Sequence, residues 1–350
     1  MHILFSRITK HLYARVAGMS WDTVVALTAT HFATSWILLT FAGGEDIVSH
    51  DVFWYFYVTT ATTIGYGDYS PVTVTGRLIT VVWIMPGGIA LFTTIIAKVV
   101  QQLADRWRRS MRGLANYEEF ENHIVILGWH GSRTERMVAH IRGDHSEHGR
   151  AIVLCSAQSI ENPMPDEVSF VRGAALNNPD VLRRASVEDA AYIIALGHDD
   201  NETLAAALGA AAVAPRVHLV AYFDQQSFAD LLKAHCPNAE SNVSISIELM
   251  VRSAQDPGSS RVQKQLLSTL EGPTQFSLQV PEDAQAMEYG SLLSKLKSKH
   301  DATLFGVADS ALGDDLRLNA SLDHHVAPGT ILYLMADRRI KASEIEWSDM

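Results

Sequence analysis

The sequence predicts two structural classes in one chain of 350 residues: an α-helical membrane unit with two spanning segments, then an α/β unit built on a doubly wound parallel sheet and closed by a small α+β lobe. Three observations carry this. Val24–Phe41 and Leu78–Ala97 are runs of eighteen and twenty residues without a formal charge, long enough to cross a hydrocarbon core. From His123 onward short apolar runs alternate with helical stretches, the grammar of parallel βαβ units. Charge divides the chain in the same place: residues 1–112 carry nine Lys/Arg against six Asp/Glu, and the remainder nineteen against thirty-three. The acidic remainder presents no basic face for neutralising phosphates, which argues against nucleic acid as a partner. Two cysteines, Cys155 and Cys236, make no disulfide framework and suit a reducing compartment.

Within residues 1–20, Leu4, Ile8, Leu12 and Val16 recur at steps of four among Arg7, Lys10 and Arg15, the pattern of an interfacial amphipathic helix. A plain basic run-in to the first span fits the same residues. Residues 21–104 form the membrane unit and 105–120 a linker. The first apolar run has full span length and no cleavage pattern, so it is expected to stay as a span. His31 and Ser35 share one face of it and read as helix-to-helix hydrogen bonders. Asp51–Thr60 is an aromatic helix of about ten residues, too short to cross and expected to dip in and return. Arg106, Arg108, Arg109 and Arg112 follow the second span, so by the positive-inside rule this end and the basic N-terminus face the cytoplasm. Pro86, Gly87 and Gly88 lie midway along that span, where a missing amide and two glycines make a bending hinge; close packing explains glycine there equally.

Between the spans, Thr59–Asp68 reads TTATTIGYGD. Glycine reaches positive φ without strain, so Gly65 and Gly67 allow the carbonyls of Thr63, Ile64, Gly65 and Tyr66, with the Thr63 hydroxyl below, to turn toward one axis. Stacked oxygens of this kind suit a dehydrated hard cation. The carbonyl end of the short helix, near Thr62, would point partial negative charge into the cavity below. One strand cannot enclose an ion, so a symmetric oligomer is required. TTIGYGD is similar to the potassium-channel signature, a filter class that is itself a standard example of carbonyl selectivity. That resemblance implies a homotetramer, K⁺ as the permeant ion, Thr62 at the cavity and Asp68 at the outer mouth.

The second half supplies strand candidates at 123–129, 151–156, 168–173, 192–196 and 217–223, with helices between most of them at 134–141, 180–185 and 202–213. The first strand runs into Gly128, Trp129, His130, Gly131, Ser132 and Arg133, a turn and helix N-terminus suited to cradling an anion. A membrane pore followed by ENHIVILGW and such a sheet resembles the potassium channels with a regulator-of-potassium-conductance (RCK) domain. The full expectation is a membrane α-helical pore, with two spanning helices, a re-entrant pore helix and a filter, joined to a Rossmann-like RCK domain. Residues 121–245 would be the RCK N-lobe, 246–272 crossover and dimerisation helices, 273–340 the α+β C-lobe and 341–350 a tail. The resemblance implies a possible octameric RCK ring that pulls on the pore, and Ca²⁺ or a nucleotide as regulatory ligand.

Two departures bear on that ligand. A G-x-G-x-x-G fingerprint from Gly128 would need glycine at His130 and Arg133, and the acid expected after the second strand is replaced by Cys155, Ser156 and Ala157. The calcium site of some relatives uses acids where this chain has Leu196 and Tyr222, matching only at Asp224. Asp199, Asp200 and Glu202 beside Asp224 form a candidate regulatory cation site, and helix capping accounts for the first three as well. His140, His145 and His148, with Asp144 and Glu147, match no tight metal pair and read as a helix end and polar loop. The expectation is thus a ligand-gated K⁺ channel of the inner or plasma membrane, lipid-embedded and not an enzyme. The alternatives are a membrane-anchored nucleotide-dependent oxidoreductase and a regulatory subunit of a separate potassium transporter.

Overall fold

The structure, a computed structural model, describes residues 18–43, 46–144, 147 and 149–347. The expected N-terminal helix falls almost wholly, and His145 and His148 wholly, outside the described residues. The chain forms two compact units, one ending at Arg108 and the other beginning at Arg109.

The first unit contains the two expected spans. Helix α1, Trp21–Phe41, starts where the Ser20 hydroxyl accepts the Thr23 amide, and its buried face is Val24, His31, Ser35 and Leu39. Spacings of seven and four put these residues on one side. Helix α2, His50–Ala61, is the short helix expected between the spans; it buries Phe53, Phe56, Tyr57 and Ala61 against Leu39, Ile47 and Ile84. Trp36 Nε1 donates to the Val48 carbonyl at 3.0 Å, which holds the intervening loop against α1. The second span is longer than Leu78–Ala97, running without interruption through Val74–Met111 and well past the apolar stretch. It comprises α3 (Val74–Ile79), a π-turn at Thr80–Ile84 and α4 (Met85–Met111). In the π-turn the Met85 amide reaches back to Thr80 O. Widening the helix immediately before Pro86 gives its ring room that an α-turn would deny. Within α4, Lys98 is 8% exposed, yet its ammonium is satisfied: it donates to the Met19 carbonyl and lies 5.6 Å from the Trp21 ring centroid.

The second unit opens with β1 (His123–Leu127), α5 (Ser132–Gly143), β2 (Ile152–Ser156) and β3 (Ser169–Arg172). It continues through α6 (Pro179–Arg184), β4 (Ala190–Ala195), α7 (Asp200–Val213), β5 (His218–Phe223), α8 (Gln226–His235) and β6 (Glu240–Val243). The six strands are all parallel in the order β3-β2-β1-β4-β5-β6, the doubly wound arrangement the sequence predicts. β1 and β2 are buried at every position, as a sheet covered on both faces requires. β6 is an addition: ESNV has one apolar residue and sits at the sheet edge, so no apolar run announces it.

Residues 246–272 hold two helices, α9 (Ser246–Gln255) and α10 (Ser259–Leu267), broken at Pro257 and Gly258, whose φ is 99°. The C-terminal lobe follows with β7 (Thr274–Gln279), β8 (Met287–Glu288), α11 (Tyr289–His300), β9 (Thr303–Ala308), β10 (Arg317–Leu318), β11 (His325–Val326) and β12 (Ile331–Ala336). Its antiparallel sheet, β10-β9-β12-β7, packs Leu304, Leu332 and Leu334 against Leu292 and Leu296 of α11.

Candidate functional site

The segment after α2 is defined by its backbone. Thr62 caps the helix at φ −83°, and its hydroxyl donates to Val58 O at 2.7 Å. Thr63, Gly65 and Gly67 then take φ values of 63°, 53° and 78°. Left-handed residues at every second position turn successive carbonyls to the same side of the strand, the requirement for a column of oxygens. Positive φ is expected at the two glycines; at Thr63, expected only as an oxygen donor, it is unexpected for a β-branched residue. The Ile64 and Gly65 amides both donate to Thr59 O, at 2.9 and 3.0 Å, which ties the strand back to its helix. A Cβ built at Gly65 or Gly67 meets nothing within 4 Å, so conformation alone asks for glycine there. At the far end the Tyr55 hydroxyl donates to Asp68 Oδ2 at 2.9 Å, and the Tyr55 and Tyr66 rings stack with centroids 6.4 Å apart.

Gly87 and Gly88 present the opposite case. A Cβ at Gly87 would stand 2.1 Å from His31 Nε2, and one at Gly88 would stand 2.8 Å from Ala61 Cβ. These glycines therefore let α4 touch α1 and α2. The His31 ring stacks on Trp83, contacts Trp83 O through Nε2 at 3.3 Å and lies 2.7 Å from the Tyr57 hydroxyl through Nδ1. A carbonyl only accepts, so Nε2 carries the proton and Nδ1 accepts from Tyr57. One imidazole thus joins both spans and the short helix, the structural part its face had suggested.

In the second unit, Gly128 (φ 125°) leaves β1 so close to β4 that a Cβ would stand 1.7 Å from Leu196 O. Gly131 (φ 54°) precedes α5, whose first turn has no side-chain cap, so amides face the crevice at the sheet's carboxyl edge. A cleft of about 370 Å³ there is lined by Gly128, Trp129, Ser156, Gln158, His198 and Glu202, among others. His130 contacts Gly197 O through Nε2, and its ring stacks against His198. Gln158 Nε2 donates to Trp129 O at 3.0 Å, and the buried Cys155 thiol is pushed up to about 12 by desolvation, against the opposing pull of Arg184. At the end of β2, where an acid would clamp a ribose, stand Cys155, Ser156 and Ala157; the crevice does not fit a dinucleotide held in the G-x-G-x-x-G manner.

Three of the four candidate cation carboxylates accept backbone amides. Asp199 Oδ1 accepts the Glu202 amide as N-cap, Glu202 Oε2 accepts the His198 amide, and Asp200 accepts the Asp224 and Gln225 amides at 2.9 and 3.0 Å. Among the described residues no three His, Cys, Asp or Glu side chains group as metal ligands. The four acids stay close in the fold because Asp200 staples the end of β5, and capping explains what their spacing suggested. His140 lies in α5 and is tied to Thr269, whose hydroxyl donates to His140 O at 2.6 Å.

Residues 24–105 match the family described as ion channel, and residues 124–242 match the TrkA-N domain. The chain is 31% identical over 150 residues to the calcium-gated potassium channel TvoK of Thermoplasma volcanium, covering 43% of this chain and 41% of that protein. It is 26% identical over 200 residues to potassium channel protein 1 of Methanocaldococcus jannaschii, covering 54% of this chain and 58% of that one. The matches thus span about two to three fifths of these relatives' lengths. Among solved structures it is similar to the GsuK channel, with 16% identity, TM-score 0.46 and coverage of 90% of this chain and 56% of that one. An ion-channel match is thus followed along the chain by a TrkA-N match, the domain order expected of a two-span pore joined to an RCK domain.

Proposed function

We propose that four copies of this chain form a K⁺-selective pore whose opening is controlled by the second unit in the cytoplasm. The single observation that carries the reading is the alternation of positive φ at Thr63, Gly65 and Gly67 in a strand anchored to a helix carbonyl end. The carbonyls of Thr63, Ile64, Gly65 and Tyr66 then replace water around K⁺, the Thr63 hydroxyl completes the lowest ring, and Thr62 borders the cavity. Asp68, held by Tyr55, shapes the outer mouth. The arginines at the end of α4 support a cytoplasmic side for that end, and with it for the RCK domain and the N-terminus. Bending at the π-turn and Pro86–Gly88 moves the inner gate.

Self-association of the cytoplasmic part, in a ring of up to eight domains, is supported by α9 and α10, which leave Ile247, Met250, Val251, Val262 and Leu267 more than half exposed. A regulatory ligand, Ca²⁺ or a nucleotide, acts through its difference in affinity for the open and closed rings. The test is purified full chain in liposomes: steady K⁺ flux with Na⁺ excluded supports the reading. Equal Na⁺ and K⁺ permeation overturns it, and turnover of NAD(H) without flux points instead to the oxidoreductase.

A further inference from the structure

Helix α4 ends at Met111, and the chain reaches β1 only at His123. The sequence reads this stretch as a linker, yet it is fastened at almost every step. Met111 O accepts the Asn162 amide at 2.6 Å, and Gly113 O accepts the Arg172 amide at 2.8 Å. Leu114 bridges Val171 in antiparallel fashion, so the segment adds a short edge to β3. Gly113 has φ 66°, and a Cβ there would stand 2.6 Å from the Arg172 amide, so the approach admits only glycine.

Arg184, at the end of α6, binds this segment from the other side. Its Nη1 donates to Gly113 O at 2.9 Å and Ala115 O at 3.4 Å, and Nη2 donates to Arg172 O at 2.7 Å. Nε donates to Asp180 Oδ2 at 2.8 Å, which orients the planar fork; the side chain is 13% exposed. The Arg184 carbonyl also accepts the Tyr117 amide at 2.9 Å. A guanidinium holds three carbonyls in one plane; an ammonium offers a point charge without that geometry. Arg183, beside it, is 61% exposed and pairs with Glu118 and Asp180 on the surface.

We infer that Arg184 is a positioning residue for gating: it clamps residues 113–117 to the N-lobe so that movement of the lobe is delivered to α4 rather than absorbed in slack chain. This rests on the reading of the second unit as the regulator of the pore. A free linker would lengthen before it pulled; a clamped one transmits displacement from the first ångström.

The test uses the full chain in nanodiscs and planar bilayers, comparing wild type with Arg184→Gln, Arg184→Lys and Arg183→Ala. In Arg184→Gln, amide exchange across 113–122 is expected to quicken about tenfold while β1 and β2 peptides stay protected, with Arg184→Lys intermediate and Arg183→Ala near wild type. Conductance and K⁺ selectivity stay unchanged, and the response of open probability to Ca²⁺ or ADP falls. Unchanged linker exchange in both Arg184 variants overturns the clamp, and a quickened linker with full ligand response overturns its role in coupling. Should exchange in β1 show that the Arg184 variants unfold the lobe, Gly113→Ala loosens the same segment from its other side and is judged by the same two outcomes. A wild type answering neither Ca²⁺ nor ADP overturns regulation by those ligands, and linker exchange still decides the clamp.

Discussion

Strand β1 is buried at all five positions, whereas the eight residues from Thr63 to Ser70 are all exposed. The contrast extends to their surroundings: only 22% of the first apolar span window and 17% of the second are buried within the chain. One chain completes the doubly wound sheet, covering both faces with its own helices. Residues 63–70 and the spans leave their surfaces uncovered by this chain, for lipid and identical copies in the proposed tetramer. A substitution in the sheet should therefore act on stability, and one in the filter on permeation.

The largest effect should come from Gly65→Ala. Left-handed backbone costs a residue with a Cβ about 1–2 kcal/mol, and a tetramer incurs this four times around one ring. K⁺-selective flux into liposomes should be lost while the tetramer's elution on size exclusion is kept; unchanged selectivity would break the comparison. Its counterpart is Ile126→Ala in β1, fully buried, where a cavity costs about 2–5 kcal/mol. Denaturant midpoints for unfolding of the second unit should drop with K⁺ selectivity intact.

Gly87→Ala sharpens the contrast within the membrane unit itself. Its Cβ would meet His31 rather than a strained backbone, an overpacking cost of about 1–3 kcal/mol. A lower melting temperature and altered open probability are expected at unchanged selectivity, and replacing His31 with a smaller side chain in the same protein should restore both.

The smallest expected effect is one of pH. His123 is buried, donates from Nε2 to Ala185 O at 2.8 Å and has no partner on Nδ1. Burial lowers its pKa below the usual 6.5, with the Ala185 carbonyl and the Asp189 charge opposing. With the folded value below the unfolded one, the unfolded chain takes up the proton first, so stability declines as pH falls from above 6.5 through the folded value. Thermal melts should show this decline in wild type and a flatter slope in His123→Gln; equal slopes would remove His123 from the account.

Much of this was written in local pattern. TTIGYGD, the uncharged spans and the apolar strands announce themselves because each needs only neighbours in sequence to be recognised. Three features had no such pattern. β6 is polar and at an edge, the π-turn shows only as a proline two residues past its end, and Arg184 sits in a charged helix end like many others. Likewise Gly87 and Gly88 read equally as hinge or packing residues until His31 and Ala61 were found against them.

By itself the sequence determined the two-part architecture and the positive φ of Gly65 and Gly67, because glycine's freedom at positive φ and the length of an uncharged helix are properties of the residues alone. Tertiary structure decided which polar groups are already spent. The acids at the crevice are used on backbone amides, His130 occupies the place of a fingerprint glycine, and Arg184 binds chain from another element. Hydrogen-bond capacity is finite and, for Asp200, His130 and Arg184, the partners lie 24, 67 and 71 residues away, so no local reading of the sequence could allocate it.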